Sequence, residues 1–383
     1  MCDILKHTTM KTGDKTMKKI HRTLSLFAVA AMCTALLCSC GAVSDSSQTD
    51  SSSKAATTTT ADTTADTTTV GEASSTASAA SAPDSSVSDS SSAVTDDTKT
   101  NGITPAMWKV TSPEGNTMVM LGSFHALKDE CYPLPEAVTN AYNNADILAV
   151  ECDITSTSED GEYMKNLMKQ MLYNDNTKLS QHISEEAYSA LQTYLGYWGM
   201  DISALEVYRP WAVSSTLDTL LIQDSGFDTE KGLDNFLLTT AHADGKEIYE
   251  VESVDFQMNL LINFSDDIYD LMFRSYEGET KESQKQALED LYTAWKSGDI
   301  ETFLEEDNEE ELAGYTEEDK KIAEDYNNQM LYDRNKNMAK AAEDLMSQGK
   351  NVFYVVGAAH YAGEGGIIDL LEKDGYTAER VQY

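Results

Sequence analysis

Two stretches of this chain follow one rule. Thr117–Leu121, "TMVML", runs into Gly122 and reaches His125 three residues later. Val352–Val356, "VFYVV", runs into Gly357 and reaches His360 at the same spacing. Two further short runs, "ILAVEC" at Ile147–Cys152 and "EIYEV" at Glu247–Val251, lie between them. Runs that are apolar without alternation belong to strands covered on both faces, which is the signature of parallel pairing. The longer segments between them repeat apolar residues at spacings of three and four, which is helical. The expected fold is α/β: a central, largely parallel sheet carrying a helical insertion or cap. In such a sheet the ligand crevice opens at the carboxyl ends of the strands.

The helices expected on this pattern cover Glu136–Asn144, Glu159–Met171, Ser184–Leu195, Ala204–Leu221, Leu233–Ala243, Val254–Tyr276, Ser283–Ser297, Glu324–Ser347 and Ile367–Lys373. "YTAERVQY" at the end is a candidate final strand. The folded domain is expected over residues 106–383, with the helical insertion at about 155–350. "GDIETFLEEDNEEELAGYTEEDKK" from Gly298 reads as solvated helix surface and loops.

The first hundred residues read differently. "MKKIHR" from Met17, then the short apolar run Thr23–Leu37, form a signal peptide over residues 1–39, with Met17 a candidate true start. "LCSC" before Gly41 resembles a lipobox, which implies cleavage before Cys40 and lipid attachment to it. Residues 40–105 are Ser, Thr, Ala and Asp with almost no large apolar side chain, and are expected to form an unstructured tether. The expected location is outside the cytoplasm, as a membrane-anchored bacterial lipoprotein. The formal net charge of −37 argues against nucleic acid as a partner. Cys131 and Cys152 are the cysteines left in the folded part, and one disulfide between them is open.

The chemistry gathers at strand ends. His125 and His360 each follow a strand and a glycine; Glu151 and Asp153 end the "ILAVEC" run, and Glu252 ends "EIYEVE". Imidazole nitrogen and carboxylate oxygen suit Zn, Mn or Co, with Fe accepting the same ligands. One divalent ion on His125, Glu151 and His360 would leave a position open for water. Glu252 is placed as base or supporting carboxylate. Arg334, in "DRNKNMA" with Asn335, is placed on a substrate charge or on an active-site Glu. Gly122 and Gly357 allow a sharp turn or a close approach. Arg209, in "VYRPWA", precedes a helix opened by Pro210, and Trp211 packs. "GEGG" at Gly363–Gly366 shapes the rim around His360 rather than forming a phosphate loop. His182 and His242 read as ordinary polar-surface histidines. Ser123 stands two residues before His125, which does not make a triad.

These residues resemble the TraB/GumN family. The likeness runs through "GNTMVMLGSFHALKDECYPLPEAVTNAYNNADILAVECD", "RPW", "KGLDNFLLTTAHADGKEIYEVESVDFQMNLL", "DRNKNMA" and "VFYVVGAAHYAGEGGIIDLLEKDGY". That family includes the Tiki metalloproteases and is similar to erythromycin esterase and ChaN-like groups. Its two Gly-x-x-His motifs and its glutamate fall on Gly122 with His125, Gly357 with His360, and Glu151. The resemblance implies metal-dependent hydrolysis of a peptide or protein substrate. A non-catalytic peptide- or metal-binding lipoprotein, and a metal-independent esterase using His as general base, are the alternatives. The substrate, the metal and the oligomeric state stay open.

Overall fold

The computed structural model describes residues 102–155, 161–304 and 315–383. The signal segment, Cys40, the tether as far as residue 101, the start of the helix expected from Glu159 and residues 305–314 of the acidic stretch lie outside the described residues; Ile103, expected in the tether, is instead buried in the core.

Six strands form one sheet. They are β1 (Met107–Thr111), β2 (Thr117–Ser123), β3 (Ile147–Val150), β4 (Glu247–Glu250), β5 (Val352–Gly357) and β6 (Thr377–Arg380), in the order β4-β3-β5-β2-β1-β6. The pairs β4–β3, β3–β5 and β5–β2 are parallel, while β1 runs antiparallel to both β2 and β6. The fold is therefore mixed α/β, a central sheet flanked by helices. Every residue of β3 and β5 is buried, as expected of inner strands whose two faces are covered. Strand β1 was not expected. Its "MWKVT" is short and carries a lysine, so it lacks the continuous apolar signal of the inner strands.

Helix α1 (Glu136–Asn144) links β2 to β3. Helices α2 (Gly161–Gln170), α3 (Glu185–Gly196), α4 (Pro210–Asp224) and α5 (Leu233–Asp244) lie between β3 and β4. Between β4 and β5 come α6 (Val254–Asn263), α7 (Asp266–Arg274), α8 (Lys281–Ser297), α9 (Glu317–Asn327) and α10 (Asp333–Met346); α11 (Ile367–Lys373) follows β5. Two apolar cores result. One lies on the sheet and takes in Trp295 of α8 and Met338 of α10. The other is built by α3, α4, α6 and α7 with residues such as Tyr326 and Met330.

Three helices expected as single runs are divided. Pro210 fixes the start of α4, because the residue before a proline is held extended. The run from Val254 divides at Ser265, which sits extended before a first turn bearing Asp266 and Asp267. The run from Glu324 contains a π turn at Asn328–Tyr332, immediately before Arg334. Such turns widen a helix locally and often occur at functional sites.

Candidate active site

Strands β2 and β5 are parallel neighbours, with Ser123 opposite Gly357. Both Gly-x-x-His turns therefore leave the same edge of the sheet side by side. The glycines let them touch. A methyl carbon at Gly122 would lie 2.9 Å from the Ala358 backbone. One at Gly357 would lie 3.1 Å from Glu151 Oε1, 3.3 Å from His125 Nε2 and 3.6 Å from His360 Cδ2. Two imidazoles and one carboxylate thus surround a single point.

Each ring is held from behind. His125 Nδ1 donates to Asp234 Oδ2 at 2.7 Å. Asp234 stands in the first turn of α5, which docks here because Leu233 N–H donates to the Phe124 carbonyl. His360 Nδ1 lies 2.6 Å from Asn335 Oδ1. The Asn335 amide nitrogen donates to the Gly365 carbonyl at 2.9 Å, which fixes the amide's orientation. Its oxygen must then face the ring, so His360 carries its proton on Nδ1. Both supports take Nδ1 and leave Nε2, and the ring atoms nearest Gly357 are His125 Nε2 and His360 Cδ2.

The two rings differ in their hold on a proton. Burial opposes a proton on His125, but Asp234, and then Glu151, outweigh it and raise its pKa. Burial and then Arg334 hold the His360 pKa down to about 3, against the pull of Glu151. His360 Nε2 and Glu151 Oε1 stand 3.8 Å apart, too far for a hydrogen bond.

Glu151 follows β3 directly, and Glu252 is brought beside it because Glu252 N–H donates to the Glu151 carbonyl at 2.7 Å. Arg334 joins them, with one terminal nitrogen 2.7 Å from Glu151 Oε2 and 2.8 Å from Glu252 Oε2. Its Nε donates to Glu252 and its other terminal nitrogen to the Met330 carbonyl in the π turn. Gln257 Nε2 donates to both carboxylates, and Gly357 N–H to Glu151 Oε1. Burial would raise the Glu151 pKa, but Arg334, the imidazoles and this N–H bring it down to about 2. Arg334 is 3% exposed with its donors committed, so it holds carboxylates rather than facing substrate. Asn335 likewise reaches the site only through the His360 ring.

Asp234 and Gln257 were missed in the sequence. Both lie inside the family-like segment from Lys231. An acid in a first helical turn and a glutamine one turn after "EVES" are weak signals on their own. Ser123 Oγ is buried with no hydrogen-bond partner among the described residues, so it is not engaged by His125. His242 pairs with Asp153 and His182 with Asp266, both away from the convergent rings. Gly363 and Gly365 spend their N–H groups on Glu301 and Asp369, so "GEGG" forms rim and supports Asn335. Cys131 and Cys152 are buried and not joined in a disulfide, one against Tyr292 and the other against Gln257.

The model of the TraB/PrgY/gumN family matches residues 106–380. The chain belongs to that family. Among curated proteins it is 26% identical over 157 residues to the uncharacterized protein YbaP of Escherichia coli (strain K12), covering 41% of this chain and 56% of YbaP. It is 24% identical over 293 residues to a metalloprotease TIKI homolog of Nematostella vectensis, covering 65% of this chain and 61% of that one. With metalloprotease TIKI2 of Danio rerio it shares 25% over 164 residues, covering 38% and 32%. The chain thus spans a little over half of the length of the first of these relatives. No solved structure matches it.

Metal dependence, suggested by these distant metalloprotease relatives of the TraB/PrgY/gumN chain, can be set against its donors. Two imidazole nitrogens and a carboxylate oxygen, each ring anchored through its other nitrogen, suit a divalent ion. As they stand, no three or more His, Cys, Asp or Glu side chains among the described residues are drawn together tightly enough to count as a metal cluster. The donor chemistry fits; the three donors would have to draw together to share one ion.

Proposed function

We propose that this TraB/PrgY/gumN chain is a metal-dependent hydrolase, specifically a peptidase, tethered outside a bacterial cell. One observation carries the reading: His125 Nε2, Glu151 Oε1 and the His360 ring gather at Gly357, with His360 Nε2 3.8 Å from Glu151 Oε1. His125, Glu151 and His360 would hold Zn, Mn or Co. A bound divalent ion supplies Lewis acidity toward a carbonyl oxygen. Asp234 and Asn335 orient the two rings. Arg334 and Gln257 keep Glu151 ionised and in place, and Glu252 balances Arg334. Relatives named as metalloproteases support a peptide bond as the target.

The test is metal content and peptide cleavage of the full chain, with His125→Ala and His360→Ala beside the wild type. Both variants should lose bound metal and activity together. Equal activity in all three proteins would remove the assignment.

A second reading has its own observation. Asp234 on His125 Nδ1 is the arrangement of a general base oriented by a carboxylate. It gives metal-independent hydrolysis, and activity that survives chelation would favour it. The anchor is part of the first proposal. Radiolabelled fatty acid should enter the wild-type chain in cells and be absent from Cys40→Ala.

A further inference from the structure

A cavity of about 200 Å³ opens in the helical cap at the start of α4, against the junction of α6 and α7. It belongs to the "RPW" segment, which the active-site reading leaves unused. Arg209 precedes α4 in extended conformation, and its backbone is pinned by a hydrogen bond from its N–H to the Met171 carbonyl at 2.8 Å. The Arg209 side chain lines the cavity, yet its buried Nε has no hydrogen-bond partner among the described residues. Tyr173 lines the cavity too, and its hydroxyl is also buried without a hydrogen-bond partner among the described residues.

Two orphaned polar atoms on residues that line one cavity favour an occupant with acceptor oxygens. The other walls describe its body. Tyr173 stacks on His182 with ring centroids 4.3 Å apart, and Trp211, Phe264 and Tyr269 add apolar surface. Asp175 and Asp266 also line the space, and both are engaged. Asp175 accepts from Thr177, and Asp266 from His182 at 2.8 Å. Their charges repel a compact dianion such as phosphate. They tolerate a monoanion whose charge sits at Arg209 and whose apolar part lies on the rings.

We infer that this cavity is a binding site for a small carboxylate with an aromatic or branched apolar body. Arg209 and Tyr173 hold the carboxylate. Site and ligand class are independent of the crevice at Gly357.

The test titrates the full chain with N-acetylphenylalanine, its uncharged amide and inorganic phosphate, followed by calorimetry. The acid should bind saturably, and the amide at least about tenfold more weakly, the size of a lost charge-assisted hydrogen bond. Arg209→Gln should weaken binding by a similar factor. Tyr173→Phe, which keeps the ring, should weaken it by about fivefold. His360→Ala should leave it unchanged. The inference is overturned by absent saturation, by equal binding of acid and amide, or by phosphate binding as well as the acid. Unaltered affinity in both cavity variants, or affinity lost with His360→Ala, would overturn it too.

Discussion

The two Gly-x-x-His turns share spacing, strand direction and target, but not chemistry. His125 leans on a carboxylate and is 22% exposed at its side chain, whereas His360 leans on an amide and is 6% exposed. The first is drawn toward the proton, and the second is kept neutral to about pH 3. The difference comes from α5 and α10, which bring Asp234 and Asn335 from distant parts of the chain. A short motif fixes where an imidazole stands; the helix behind it fixes what that imidazole does.

That contrast can be broken at the side chain both turns share. Glu151→Ala leaves Arg334 buried with half its counter-charge, and should cost about 3–5 kcal/mol in denaturant unfolding. It should also remove metal binding, because both rings lose their common neighbour.

Next in size is Asp234→Asn, which gives the first turn an amide like the second. Metal affinity should fall about 10- to 100-fold, the usual effect of removing a ring's supporting partner. Competition with a fluorescent chelator reads it, and an unchanged affinity would mean that the two supports are interchangeable.

The glycines separate packing from chemistry. Gly122→Ala meets backbone at Ala358 and should destabilise by about 1–3 kcal/mol in thermal melts. Gly357→Ala meets the side chains of Glu151 and His125, so its main effect should fall on metal binding and turnover.

A pH-dependent contrast lies in the helical cap, where burial raises the Asp218 carboxyl well above the ordinary carboxylate range, unlike Glu151. The unfolded chain ionises this group above about pH 3.9, while the folded chain keeps it protonated. Folding then takes up a proton, so stability falls as pH rises from there toward the raised folded pKa. Asp218→Asn should gain on the wild type by up to about 1.4 kcal/mol per pH unit over that range, and show no gain below it.

How much of this stood in the sequence follows from the same physics. Strands β2, β3 and β5 were readable because burial on both faces demands unbroken apolar runs. The edge strand β4 has exposed polar positions, and its reading rested on β-rich residues alone. Strand β1 fell below that signal. His125, His360, Glu151 and Glu252 were visible because strand ends point to one edge. Asp234 and Gln257 were not, because helix docking brings them there and no local pattern marks it. Arg334 could be noticed as a scarce cation, but its burial between two carboxylates required the π turn before it.

The most direct measurement is anomalous diffraction from crystals of the chain soaked in Zn or Co. The account predicts a peak within about 2.0–2.2 Å of His125 Nε2, His360 Nε2 and a Glu151 oxygen. A metal-loaded, active protein whose peak lies elsewhere, with those three atoms unliganded, would contradict it.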